Sequence, residues 1–364
     1  MSDLVDVLLA GPRGRRLCLE LAQGPHGLPW TAEQDALWKV RFYATAARSS
    51  TAVRYGSSGP VGPGEPDEPD EPEWPVPTTE EVAAALDAID PIPVDELSFL
   101  LALEASVDSA RPWQDPDEED LLLTEPPMAG PLRRIAERVA ASGTAEWLAR
   151  SLSDDLWIVD FEVSDDLRPE TPFPPLADAL AEWRRERVDA SGHWWCTPPW
   201  PVPTTTRARA VLGPVGLWAV VDSFGWRGAT VTRATTPAGA RVYEVTDAEA
   251  WAALCRTYPL DLDDPMDEWR LSTGWEGRWV LPDWSLVARD IDAVHLTGAA
   301  YLALAETAIP VSADRASVIA GWAPDHAYWL TGGPDLTGES TRWARPGDDG
   351  TRSGDAWSPA PHSP

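Results

Sequence analysis

Asparagine is absent from this chain, and lysine occurs once, at Lys39, against 28 arginines. Both depleted types use A-rich codons, so a GC-rich genome accounts for the pattern. Cysteine is sparse: Cys18, Cys196 and Cys255 cannot make an even disulfide framework. No apolar run approaches the roughly 18 residues that a membrane span needs, so none is expected. The first residues, MSDLVDVLL, lack a basic stretch followed by an apolar one, and no secretory leader is expected. A reducing, cytoplasmic setting follows as the expectation. Catalytic signatures are missing too. There is no GxSxG, which removes Ser223 as an elbow nucleophile, and no Walker A loop, GxGxxG turn, HExxH, CxxC or EF-hand loop.

Positive charge is scarce and negative charge abundant. The formal net charge is −30, and the densest basic groups, RGRR at 13–16 and WRRER at 183–187, make no extended patch. Such a chain repels phosphate backbones, which excludes nucleic acid as a partner. It suits instead a soluble surface or a basic protein partner.

What is present is 364 residues with 43% apolar content, enough for a sizeable core, and 37 prolines. Residues 1–55 read as a helical N-terminal segment, with LWKVRFYATAARSS its best helix. Residues 56–77 carry Pro at nearly every third position among acids, and read as a disordered linker. Residues 78–153 read as a helical domain. TTEEVAAALDAI opens on a capping pattern, and VDELSFLLALEASV, DPDEEDLLLTEP, PLRRIAERVAAS and TAEWLARSL follow. The texture changes near residue 155. LWIVDFEV (156–163), GLWAVVDS (216–223), GATVTRAT (228–235), ARVYEV (240–245), DAVHLT, ASVIAGW and AYWL read as strands. LADALAEWRRERV, DAEAWAALCRTY with Asp247 as cap, and PDWSLVARD read as helices. Residues 154–330 therefore form an α+β domain, and 331–364 a loose tail. The fold class is α+β, with a helical N-terminal domain followed by a mixed-sheet C-terminal one.

Several constellations carry chemistry. Tryptophan stands at 21, against five Phe and six Tyr. Its large ring and single N–H suit cores, pockets and interfaces alike. The stretch SGHWWCTPPWPVPTTTR (191–207) gathers His193, Trp194, Trp195, Cys196, Thr205 and Arg207. Its HxxC spacing makes only one tight pair, so no metal is expected. In DIDAVHLT, alternation puts His295 and Thr297 on one strand face, where a histidine can act as acid or base. In VYEV, Tyr243 and Glu244 point to opposite faces, so one of them can face a given pocket. In AGWAPDHAYWL, Asp325 and His326 occupy a polar turn between apolar strands, placing a carboxylate at a cleft edge. Glu244, His295 and Asp325 are thus the candidate catalytic residues.

The stretches GPVGLW (213–218), ARVYEV (240–245), WAALCRTYP (251–259), PDWSLVARDIDAVHL (282–296) and ASVIAGWAPDHAYWL (316–330) resemble a family of uncharacterised actinobacterial proteins. A W–T–P segment, a VYEV strand, an amphipathic helix, a DAVHL strand and a final GW-x-PD-x-x-YWL strand are also similar in order to ADP-ribosyltransferase-like proteins. That resemblance implies a split sheet with NAD in its cleft and an oxocarbenium-like transition state. It also implies that Trp194 or Trp195 stacks on the cofactor and that Thr205 and Arg207 meet phosphate, with Tyr243 nearby. The last strand region carries Asp325 where that family uses glutamate. Two functions are therefore expected. One is an NAD-cleaving or ADP-ribosyltransferase-like protein, active or not. The alternative is a non-catalytic acidic immunity or regulatory protein with a basic protein partner. The enzyme needs Trp195, Arg207, His295 and a carboxylate to line one cleft. The binding protein needs an exposed aromatic or acidic patch, with those residues scattered or buried.

Overall fold

A computed structural model describes residues 2–24, 30–53, 76–90, 92, 94–163, 173–189, 193–223, 225–262, 267–345 and 356–360. The fold is α+β. The helices α1 (Ser2–Ala10), α2 (Pro12–Gln23), α3 (Ala32–Val53), α4 (Thr79–Asp87), α5 (Glu96–Asp108), α6 (Glu118–Leu122) and α7 (Ala129–Ser142) fill the N-terminal half. The expected linker lies outside the described residues except for residues 76 and 77. Local chemistry starts these helices. At α4 the Thr78 side chain accepts from the Glu81 amide and the Glu81 carboxylate accepts from the Thr78 amide, the capping box that the sequence predicts. Asp95 caps α5 and Asp117 caps α6 in the same sense.

In the C-terminal half come β1 (Leu156–Phe161), α8 (Leu176–Asp189), β2 (Thr204–Arg207), β3 (Gly228–Thr235), β4 (Val242–Val245), α9 (Ala248–Thr257), β5 (Pro259–Leu262) and α10 (Asp267–Thr273). There follow β6 (Arg278–Pro282), α11 (Trp284–Asp290), β7 (Ala293–Leu296), α12 (Gly298–Leu304), β8 (Ile309–Pro310), β9 (Arg315–Ser317), β10 (Ala327–Trp329), β11 (Asp335–Ala344) and β12 (Ser358–Pro359). An eight-stranded sheet runs β12-β11-β3-β1-β2-β10-β7-β4, and a four-stranded sheet runs β5-β6-β9-β8. Both sheets are mixed: β4 and β7 run parallel, as do β6 and β9, while the other neighbours are antiparallel. Asp247 caps α9, as expected.

Two segments depart from expectation. GLWAVVDS (216–223) is not a strand. Val215–Leu217 is a single 3-10 turn that packs on β1 and β2. The Gly216 amide donates to Thr206 Oγ1 at 3.0 Å, and a Cβ on Gly216 would sit 3.2 Å from that oxygen. The apolar run is buried as a plug over the sheet rather than as part of it. Residues 335–344, expected in the loose tail, form β11 against β3, with a register shift between Leu336 and Ser340.

One apolar core runs from Val5 to Trp357, so the helices and the sheets share it. At Gly11 the N-terminal helices press against α12: a Cβ there would lie 2.5 Å from the carbonyl oxygens of Leu302 and Ala303. Arg13, fully buried, pairs with Asp120 and lies 2.7 Å from Glu306. Seven tryptophans, Trp218, Trp251, Trp269, Trp279, Trp284, Trp322 and Trp329, are fully buried. Among the described residues no helix is long and apolar enough to cross a membrane.

Candidate functional site

Strand pairing in the large sheet brings four charged side chains together. Parallel pairing sets Glu244 of β4 opposite His295 of β7. Antiparallel pairing sets His295 opposite Ala327, two residues after Asp325. Ala327 also pairs with Thr205, two residues before Arg207. The side chains close the chain of contacts. His295 Nδ1 lies 2.6 Å from Glu244 Oε2, and Nε2 lies 3.3 Å from Asp325 Oδ1. Arg207 donates from Nε to Asp325 Oδ1 at 2.6 Å and from its amide to Oδ2 at 2.9 Å. Its Nη2 reaches the carbonyls of Arg150 and Ser151, each at 3.0 Å. The Leu152 amide donates to Glu244 Oε1 at 2.9 Å. Asp325 adopts φ +61°, a left-handed conformation that Asp tolerates better than most residues.

Both ring nitrogens of His295 face carboxylate oxygens, an arrangement that favours the protonated ring, in which both donate. Burial disfavours that cation, but the hydrogen bonds and charges of Asp325 and Glu244 outweigh it and raise the His295 pKa. Burial likewise disfavours the Asp325 carboxylate, yet His295 and Arg207 hold its pKa below the ordinary range. Two carboxylates, one imidazolium and one guanidinium sum to no net charge. The cluster is dry: His295 is 0% exposed, Asp325 1% and Arg207 7%. Only Glu244 reaches toward solvent, with 25% of its side chain exposed.

The sequence nominates these four residues, and the structure brings them together. It uses the other candidates elsewhere. Thr205 Oγ1 accepts from Trp329 Nε1 at 2.9 Å in the core. Tyr243 points to the opposite face of β4 from Glu244, and its hydroxyl donates to the Ala250 carbonyl in α9 at 2.6 Å. The Trp194 ring lies 4.7 Å from that of Trp113, tilted by 51°, and its carbonyl accepts from Trp269 Nε1 at 2.6 Å. The Trp195 ring lies 4.8 Å from His193 and 5.9 Å from the Arg187 guanidinium.

No family model, curated protein or solved structure matches the chain. The site must therefore be read on its own chemistry. As it stands, both ring nitrogens of His295 and the Nε and Nη2 groups of Arg207 are engaged inside the protein. The arrangement bolts β2, β4, β7, the turn before β10 and residues 150–152 together. Sequence reasoning misses Trp147, whose ring lies 5.8 Å from the Arg207 guanidinium and 4.9 Å from that of Arg209, and Glu96, 2.8 Å from Arg209. It also misses Arg187. Nothing local marks these residues, since most of their partners come from distant parts of the chain.

Proposed function

We propose that this chain is a non-catalytic acidic protein, of immunity or regulatory type, that binds a basic protein partner on the face formed by α3 and α6. The observation that carries this reading is an aromatic row beside acid, half-buried at Trp30 and Trp38 and exposed at Phe42. Trp38 and Phe42 stack at 5.2 Å along α3, and Trp30 lies 6.2 Å from Trp38. Phe42 is 49% exposed. It borders a groove of about 260 Å³, whose other walls are Thr45, Ala46, Asp117, Glu118 and Glu119.

Charge complementarity selects the occupant. A ring face next to carboxylates attracts a guanidinium or ammonium, and the net charge of −30 steers basic partners toward it. Glu119 is already tied to Arg16 and Arg41, and Asp117, with its side chain 44% exposed, lies 3.7 Å from Arg16 and caps α6, so Glu118 is the carboxylate that faces the partner. The NAD-cleaving reading asks His295 and Arg207 to meet a ligand, and their burial weighs against it.

Calorimetric titration with a short arginine-rich peptide at low salt tests the proposal. Saturable binding that weakens roughly tenfold in a Phe42→Ala/Glu118→Gln double variant is expected. Binding unchanged in that variant sinks the α3–α6 site. Nicotinamide release from NAD by the wild type, lost in His295→Gln, replaces the reading with the enzymatic one.

A further inference from the structure

The end of the chain lies on the sheet as a peptide ligand would. β12 adds antiparallel to β11, but only Trp343 and Ala344 of that ten-residue strand pair with it, opposite Pro359 and Ser358. The Ala360 amide donates to the Arg342 carbonyl at 2.8 Å. Of residues 356–360, Trp357 alone is buried, at 3% exposure. Its ring lies 6.1 Å from Phe161 at the end of β1 and 5.5 Å from the Arg345 guanidinium that follows β11. Arg345 is held in turn by Glu104 of α5, onto which it forks at 2.5 and 2.6 Å, and lies 5.2 Å from the Trp218 ring. The walls around Trp357 are thus fixed by β1, β11 and α5, and not by the tail itself.

We infer that the end of the β11 edge and the Phe161–Arg345 pocket form a strand-addition site for an extended peptide that carries a tryptophan. The chain's own tail occupies it until a partner supplies such a strand. Main-chain pairing gives sites of this kind their affinity, and a pocket for one side chain gives their specificity. Here the pocket selects an indole, because a guanidinium attracts a ring face and tryptophan offers the best one. The tail suits an exchangeable occupant: it meets β11 over two register positions, whereas β3 meets β11 over seven. Tethering keeps so small a contact closed, since an attached ligand acts at an effective concentration on the order of millimolar. Pro359, on the outer side, has no N–H to offer a further strand, so the sheet ends there while the tail is in place. The site shares no residue with the α3–α6 groove.

The test is fluorescence anisotropy of a dye-labelled peptide, GDAWSPAP, the sequence of residues 354–361, titrated with the full chain. Trp357→Ala empties the pocket, and this variant should bind the peptide saturably, at least about tenfold tighter than wild type, whose tail competes. The same peptide with alanine in place of tryptophan should not bind. Amide exchange on the unaltered protein decides the matter even where the variant folds poorly. The Ala360 amide should exchange at least about 100-fold faster than the amides of the β3 ladder, because the tail leaves without unfolding the sheet. The inference is overturned if the folded variant fails to bind the peptide, if wild type or the alanine peptide binds equally well, or if Ala360 is as protected as β3.

Discussion

The two buried arginines of the C-terminal half show opposite ways to hold a cation out of water. Arg207 has one carboxylate and two carbonyls against its fork, and a histidine beyond the carboxylate. Arg187 has three indole faces and one carbonyl. The first is a closed polar network whose charges cancel. The second is an apolar enclosure in which Nε and Nη2 find no hydrogen-bond acceptor among the described residues. Closed networks are costly to break because any deletion strands a partner, whereas an unpaired charge costs little to remove.

That contrast ranks the substitutions. Asp325→Ala strands both the His295 imidazolium and the Arg207 guanidinium, and should cost on the order of 3–5 kcal/mol in denaturant unfolding. A cost under about 1 kcal/mol would mean that the network is not closed. Next comes pH. The His295 pKa is raised in the folded state, so its contribution is complete below its unfolded value, near 6.5, and is lost as pH rises through the folded one. His326, lowered by burial, works in the opposite sense: it costs stability as pH falls through its unfolded value. The difference between wild type and His295→Gln isolates the first effect. It should shrink as pH rises above about 6.5, and a difference flat across that range breaks the assignment of a cationic ring.

Arg187→Met should change stability by less than about 1.5 kcal/mol, and a gain is expected. A loss as large as that of Asp325→Ala would erase the contrast. Tyr243→Phe serves as the reference for a single neutral hydrogen bond, that to the Ala250 carbonyl, and should cost about 1 kcal/mol.

The surroundings of these sites explain what could be read in advance. The Thr78–Glu81 box and the Asp247 cap lie within four residues of the groups they serve, so composition reveals them. The alternation in VYEV separates Tyr243 from Glu244 and is realised, one to α9 and one to His295. GLWAVVDS misleads because an apolar run records burial without recording hydrogen-bonding partners. A buried turn over a sheet and a central strand look alike at that level. β11 misleads in the other direction: its exposed, polar sequence resembles a tail, and its pairing with β3 is what makes it a strand.

Residue types and short spacings by themselves determine the α+β class, most element positions, the acidic surface, and the nomination of Glu244, His295, Asp325 and Arg207. They do so because propensity, capping and periodicity act over a few residues. Tertiary structure alone decides that these four sit in a dry, neutral network, and that Arg187 is walled by rings. His295 is 51 residues from Glu244 and 30 from Asp325, and Arg207 is 118 from Asp325. Whether a histidine meets solvent or two carboxylates depends on desolvation, and desolvation exists only once distant segments have packed.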